Sequence, residues 1–354
     1  MGHAKMVSLA PARATPAPTI PRKARRLRRA LLLAGLVSVV GLIGLEVVLR
    51  VVVGMGDPPL YDTDKGWEYA VRPGVYRRFG NTVSVNRWHM RSPDIEPKKT
   101  DPRELRVLVL GDSVVNGGSP TDDRDLATTL IEQSLALKLK RPVRVLNISA
   151  GSWGPTNLLE YTKSYGTFDA DIAIIVLNSI DYGDEPTYAS LGPEMPTSRP
   201  WLAIQEGLSN YVPRAIEKLR GTQPTQDTDT NPPTERGDRT LASVRALVTR
   251  LRADGVRVAG VQHMRREMEI KKSPLIGHAK LGDELAALNV PIFQTDPWFR
   301  AHDADSPSVW RDDIHPSAAG QRGLATVLET GVDAALALPA PPTTPTGVPA
   351  RATP

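Results

Sequence analysis

Five short runs rich in Val, Ile and Leu, at residues 106–110, 143–148, 171–177, 256–261 and 290–293, constrain this chain most. Each is bounded by Gly, Pro, Asp or Asn. A strand with one wet face alternates apolar and polar residues, whereas a continuous apolar run suits a strand covered on both faces, as in parallel sheets. Between the runs lie patterns with helical spacing at 125–140, 156–165, 240–253 and 275–288. Alternation of this kind predicts a three-layer α/β domain around a mainly parallel, five-stranded sheet.

The rest of the 354 residues is organised around that domain, set at 104–338. Residues 54–103, rich in Gly, Pro, Arg and aromatics, read as a juxtamembrane connector with short strands or turns. A helix over 200–219 reads as an insertion packed near the strand ends. Residues 221–238 are polar and rich in Pro and Thr, which predicts a flexible surface excursion. The last 16 residues, from Pro339, have the composition of a disordered tail. The sequence contains no internal repeat.

Residues 1–29 form a basic tail, and an apolar stretch of 24 residues, 30–53, follows it. About 20 residues cross a bilayer, so this length predicts a membrane anchor. Glu46 and Arg50 stand four apart on one helix face, where they can pair or snorkel near the interface. The positive-inside bias places the N-terminus in the cytoplasm and everything after Gly54 outside. A cleaved signal peptide is the rival, but the stretch is long for one and no A-x-A-like site follows closely. The net charge of +5 belongs to this tail: without the eight Lys and Arg of residues 1–30, 36 basic residues face 39 acidic ones, about −3. That balance gives no reason to expect nucleic-acid binding. The sequence has no cysteine, which excludes disulfides, thiolate metal sites and a cysteine nucleophile.

In open α/β sheets the site lies beyond the carboxyl ends of the strands. Gly111-Asp112-Ser113 directly follows the first run. A serine opening the next helix would offer its hydroxyl and its N–H to the crevice, although the tripeptide alone also fits an ordinary N-cap turn. It lacks the spacing of a phosphate-binding loop, and Gly117-Gly118 makes no dinucleotide fingerprint. The block from Asn147 to Gly154 follows the second run; its glycines allow close backbone approach to an oxyanion or simply form a loop. Asn178-Ser179-Ile180-Asp181 follows the third, as a side-chain donor or a polar turn. Near the C-terminus stands Asp312-Asp313-Ile314-His315-Pro316. A serine nucleophile needs a base, and the base an acceptor that fixes its tautomer; Asp312 and His315 can meet that need, with Pro316 in the first turn of the following helix. A solvated loop with a structural histidine is the alternative. As metal ligands the pair lacks a third partner at sensible spacing.

Together the four blocks resemble the GDSL/SGNH hydrolase family, named for Ser, Gly, Asn and His in four such blocks. The resemblance covers about residues 104–337, and G-D-S with D-x-x-H-P are its most specific parts. It implies a flavodoxin-like α/β/α fold, Ser113 as nucleophile, His315 as base and Asp312 as its orienter. It implies oxyanion donors from Ser113 and Gly154, with Gly151 possible in another alignment, and it implies no metal or organic cofactor. The third block departs from the family pattern: Ile180 holds the place of the Asn before the Asp. Asn178, two residues earlier, faces the same side of a regular strand, and Asn157 is another candidate amide.

The resemblance implies ester chemistry on an O-acyl, often acetyl, group of an envelope or exported glycan. An O-acyltransferase would use the same residues, and a carbohydrate-binding or assembly protein on a decayed hydrolase fold is the non-enzymatic alternative. Trp153 and Tyr182 read as packing or as the lining of an acyl or sugar site, and His263 as a structural histidine or a crevice residue. His3, His89, His278 and His302 have no supporting context.

Overall fold

The basic residues from Arg22 to Arg29 and the apolar stretch after them form α1 (Arg22–Val48), continued by a π-helical turn over Leu49–Val53. The segment Lys23–Val53, 31 residues, is long and apolar enough to cross a membrane. This computed structural model describes residues 22–220, 232–303, 308–339 and 341. The chain divides into two units, Met1–Val48 and Leu49–Pro354.

The second unit opens with two antiparallel hairpins, β1 (Tyr61–Asp64) with β2 (Glu68–Val71) and β3 (Gly74–Arg78) with β4 (Asn81–Val85). The α/β pattern then runs β5 (Leu105–Gly111), α2 (Ser113–Asn116), α3 (Ala127–Leu139), β6 (Val143–Ser149), α4 (Pro155–Tyr165) and β7 (Ile172–Asn178). After the insertion α5 (Ala203–Glu206) and α6 (Val212–Leu219) come α7 (Thr234–Ala253), β8 (Arg257–His263), α8 (Ile276–Ala287), β9 (Ile292–Gln294), α9 (Asp296–His302) and α10 (Ala318–Ala337).

The five strands β5–β9 pair in parallel in the order β6-β5-β7-β8-β9, the flavodoxin-like arrangement. Alternate residues of each strand enter opposite layers. Val107 and Val109 of β5 pack with Ile131 and Leu135 of α3 and with Leu324 and Leu328 of α10. Leu108 and Leu110 pack on the other face with Leu158 of α4, Leu247 of α7 and Leu281 of α8. Every residue of β5 and β7 is buried, which is why their runs carry no polar alternation. The strand order reverses between β5 and β7, so the crevice opens where Ser113 and Asn178 emerge.

Three expectations change. Residues 54–103 are not a bare connector: Trp67, Tyr69, Trp88 and Met90 are buried in the same core as α4 and β5. They enter as two short groups, 67–70 and 88–90, too brief to write a sustained strand or helix pattern. The insertion packs against β3 and residues 50–56 rather than the strand ends: Glu206 pairs with buried Arg78 and accepts from the Gly56 N–H at 2.6 Å. Of the excursion 221–238, residues 234–238 are the first turns of α7, and 221–231 lie outside the described residues. So does nearly all of the tail beyond Pro339.

Candidate active site

Ser113 is the first residue of α2, directly after β5 and its neighbour Asp112. The Asp112 side chain caps that helix, accepting from the Val114 N–H at 2.9 Å. As N1 of the helix, Ser113 has an N–H that the helix itself does not use. Ser113 Oγ lies 2.9 Å from His315 Nε2, and His315 Nδ1 lies 2.8 and 2.9 Å from the two oxygens of Asp312. Residues 202 positions apart thus meet in one hydrogen-bonded chain.

The Asp312 carboxylate also accepts the backbone N–H groups of Ile314 at 3.0 Å and His315 at 2.8 Å. Partial burial opposes its ionisation, but the hydrogen bonds from the His315 ring and backbone outweigh that and hold the carboxyl well below the usual range. An ionised carboxylate only accepts, so the Nδ1–H of His315 must donate to it. Nε2 is left as acceptor for the serine hydroxyl.

The loop carrying this pair folds back on itself, with the Arg311 N–H donating to His315 O at 2.9 Å and the Ser317 N–H to Val309 O at 2.9 Å. Ser317 caps α10, so Pro316 sits just before the cap rather than in the first turn. His263 braces the loop from below: its Nε2–H donates to Ile314 O at 2.8 Å and its Nδ1 accepts from Thr295 Oγ1 at 2.9 Å. Full burial pushes His263 down to about 4, which keeps the ring neutral. Its role is structural. Asp313 adds a second tie, accepting from Arg265 Nε at 2.6 Å and the Glu267 N–H at 2.6 Å.

The turn bearing Ser113 is held by Asn147, which opens the second block, and by three residues the sequence did not single out. A short helix leaves its last carbonyls without helical partners. Here Val114 O accepts from Gln321 Nε2 at 3.0 Å, Val115 O from Asn147 Nδ2 at 3.0 Å and Asn116 O from Arg91 Nη1 at 2.5 Å. Gly117 O accepts from Arg311 Nη1 at 2.9 Å. Four consecutive carbonyls therefore each meet a different side chain. Arg91, with its side chain only 1% exposed, also reaches Gly118 O at 2.7 Å, Thr121 O and Asp123 Oδ1 at 3.1 Å. Asp122 and Asp123 in turn accept the β4 N–H groups of Thr82 and Ser84 at 2.9 and 2.8 Å. No local pattern marks those three: Arg91 is a lone buried charge in a loop, Arg311 a partly exposed one, and Gln321 a single buried amide on α10.

The predicted oxyanion residues have partners within the fold. The Gly154 N–H donates to Asn157 Oδ1 at 3.0 Å, and a Cβ on Gly154 would come within 2.5 Å of Asp184 O, so close packing requires glycine there. A Cβ on Gly151 would meet nothing within 4 Å. Asn157 is itself buried, its Nδ2 donating to Trp67 O and Glu68. Asn178 Nδ2 donates at 2.9 Å to Oδ2 of Asp112, the residue before Ser113, while Ile180 packs against the core. Burial, then repulsion from Asp112, raises the Asp181 carboxyl well above its usual range, and burial pushes Asp184 up to about 7. Trp153 and Tyr182 are packing residues, both buried, with Trp153 Nε1 donating to Tyr69 O at 2.7 Å. Among the described residues no group of His, Asp and Glu could hold a metal ion.

A family model described as the GDSL-like Lipase/Acylhydrolase family matches residues 109–322. No curated protein matches the sequence. Among solved structures, the acetyl xylan esterase AlAXEase is similar at 12% identity and TM-score 0.42, over 64% of this chain and 100% of that one. The lipase/acylhydrolase from Enterococcus faecalis is similar at 11% identity and TM-score 0.40, over 65% and 96%. A two-domain esterase active on acetylated mannans is similar at 12% identity and TM-score 0.44, over 68% of this chain and 52% of its own.

Proposed function

Because the chain belongs to the GDSL-like lipase/acylhydrolase family, we propose that it cleaves an ester through an acyl-enzyme formed on Ser113. The observation that carries this reading is the chain Ser113 Oγ, His315, Asp312, each link 2.8–2.9 Å long. His315 Nε2 takes the serine proton as Oγ attacks the ester carbonyl carbon. The tetrahedral oxyanion forms at the N-terminus of α2, where the Ser113 N–H and the helix end favour negative charge. Collapse breaks the bond to the alcohol oxygen, which leaves with the proton from His315. Water, deprotonated by the same ring, then releases the acid and regenerates serine. Asp312 stabilises the imidazolium in both halves.

For the second oxyanion donor we assign the Asn178 amide, which has a hydrogen beyond the one given to Asp112. The Gly154 N–H would first have to leave Asn157. We further assign α1 as a membrane span with its N-terminus cytoplasmic, and the second unit to the outer side, acting on an O-acyl group of an envelope or exported glycan. The openness of the base side supports a bulky substrate: the Asp312 side chain is 49% exposed. Only the acyl group then needs to reach Ser113, while the polymer stays in solvent.

The test uses the full-length protein in detergent. A fluorophosphonate should label Ser113, and Ser113→Ala should lose the label and reduce p-nitrophenyl acetate hydrolysis by about 10⁴-fold or more. Hydrolysis left intact in Ser113→Ala would refute the reading. Supplying a glycan acceptor and measuring transferred against hydrolysed acyl groups separates transfer from hydrolysis.

A further inference from the structure

A surface helix in water buries its apolar stripe and exposes its polar one. The insertion over residues 201–219 does the reverse. Its inward side buries only the small Ala203 beside tethered polar groups: Glu206 pairs with buried Arg78 and the Gly56 N–H, and Tyr211 Oη accepts from Arg78 Nη2 at 2.9 Å. Its outward side carries Leu208, Val212, Ile216 and Leu219, which at 100° per residue fall within an arc of roughly 80°. All four are exposed, Leu219 at 87%, and Trp201 just before the helix is exposed at 91%. Among the described residues nothing covers this stripe.

Its location identifies what does. Arg50 Nη2 donates to Trp201 O at 2.8 Å, and the Phe79 N–H at the tip of the β3–β4 hairpin donates to Val53 O at 2.8 Å. Val53 is the last residue of the apolar segment long enough to cross a membrane. The hairpin tip repeats the inversion. Phe79 and Gly80 form a two-residue turn with φ of 52° and 79°, the left-handed region that a turn of this kind demands and that suits Gly but not Phe. The strained Phe79 is exposed, as is Val75 on the same face, and its ring meets Tyr211 edge-on at 5.8 Å. Exposed Arg77 lies between Val75 and Phe79 on that face. Apolar side chains with an interleaved cation and a flanking Trp are the chemistry of a bilayer interface.

We propose that the outward stripe of residues 201–219, with the β3–β4 hairpin tip, docks on the lipid surface of the bilayer that the preceding apolar segment enters. Leu208, Val212, Ile216 and Leu219 sit at the level of the headgroup–acyl boundary, and Arg77 meets lipid phosphates. The docked face fixes the second unit against the membrane rather than leaving it to swing on a tether. This rests on the reading of α1 as a membrane span and not on the ester chemistry.

The sequence has no cysteine, so single labels need no background removal. The full chain bearing Leu208→Cys or Ile216→Cys, spin-labelled and placed in phosphatidylcholine–phosphatidylglycerol vesicles, should show collision with oxygen several-fold above that with a water-soluble nickel chelate. Leu137→Cys, on α3 and 80% exposed, should show the opposite ratio. Nickel accessibility at positions 208 and 216 equal to that at 137 would overturn the docking. An alkaline carbonate wash of the same vesicles separates the causes: release of the protein overturns the anchor and the docking with it. Retention with water-accessible labels overturns the docking alone.

Discussion

Asp312 and His315 meet within one loop, three residues apart, whereas the turn bearing Ser113 is clamped by side chains from four other places in the chain. The separations are 207, 32, 25 and 194 residues for the partners of the Val114, Val115, Asn116 and Gly117 carbonyls. The Asp312–His315 contact is local and half-open to solvent; the Ser113 turn is set by tertiary structure, with Ser113 partly exposed and Arg91, Asn147 and Gln321 buried behind it. The difference fits the demands on each. An imidazole needs the correct tautomer, which one neighbouring carboxylate supplies. A nucleophile must sit within a fraction of an ångström of an incoming carbonyl, and a four-residue helix has too few internal bonds to hold itself there.

Breaking the local side should give the larger loss of activity. Asp312→Asn keeps the shape but lets the ring adopt the wrong tautomer, so kcat should fall by about 10⁴-fold with little change in the unfolding midpoint. An unchanged kcat would show that the pair does not orient the base. Breaking the clamp should instead cost stability. Arg91→Leu leaves carbonyls of Asn116, Gly118 and Thr121 and the Asp123 carboxylate without their cation, and denaturant unfolding should record a loss of about 3–5 kcal/mol.

A smaller effect should come from Asn147→Ala, which removes one clamp bond at Val115 O. If clamping positions the serine, kcat should drop up to about 10²-fold with KM nearly constant. A drop in stability alone would assign Asn147 to the core. The smallest effect concerns pH. Burial, then repulsion from Asp112 and Glu68, raises Asp184 from 3.8 to about 7, so the native state binds more protons than the unfolded chain between those values. Stability from this group therefore falls as pH rises through that window. Burial lowers His263 from 6.5 to about 4, so its contribution has the opposite sign and is lost as pH falls through its window. The two partly offset each other. Asp184→Asn should unmask the histidine, giving unfolding midpoints that rise more steeply from about pH 4 to 6.5 than in the parent protein.

The same divide governs what could be read in advance. The five strands were legible because burial on both faces writes a continuous apolar run, and their observed limits differ from the predicted ones by one or two residues, as at Leu105–Gly111 and Val143–Ser149. The Ser113, Asp312 and His315 positions were legible because each lies in a short motif at a strand end or helix start. Asn178 was offered as a substitute for the place held by Ile180, and its amide donates to Asp112, the residue before Ser113. Residues 54–103 misled because their core residues come in two groups of two or three, Trp67 to Ala70 and Trp88 with Met90, too short to show a period. The insertion misled because its outward apolar side resembles an ordinary buried stripe until the inward side is seen to hold Glu206.

What the amino-acid order determined by itself was therefore local: strand runs, helix periods, a membrane-length apolar segment, and a carboxylate three residues before its histidine. These depend on neighbours within about one turn or one strand, where covalent spacing fixes geometry. Tertiary structure decided which distant side chains satisfy the orphaned carbonyls behind Ser113, which buried acids come close enough to repel one another, and which apolar faces remain uncovered. Those outcomes depend on the closure of loops up to two hundred residues long, and no window along the chain contains both partners.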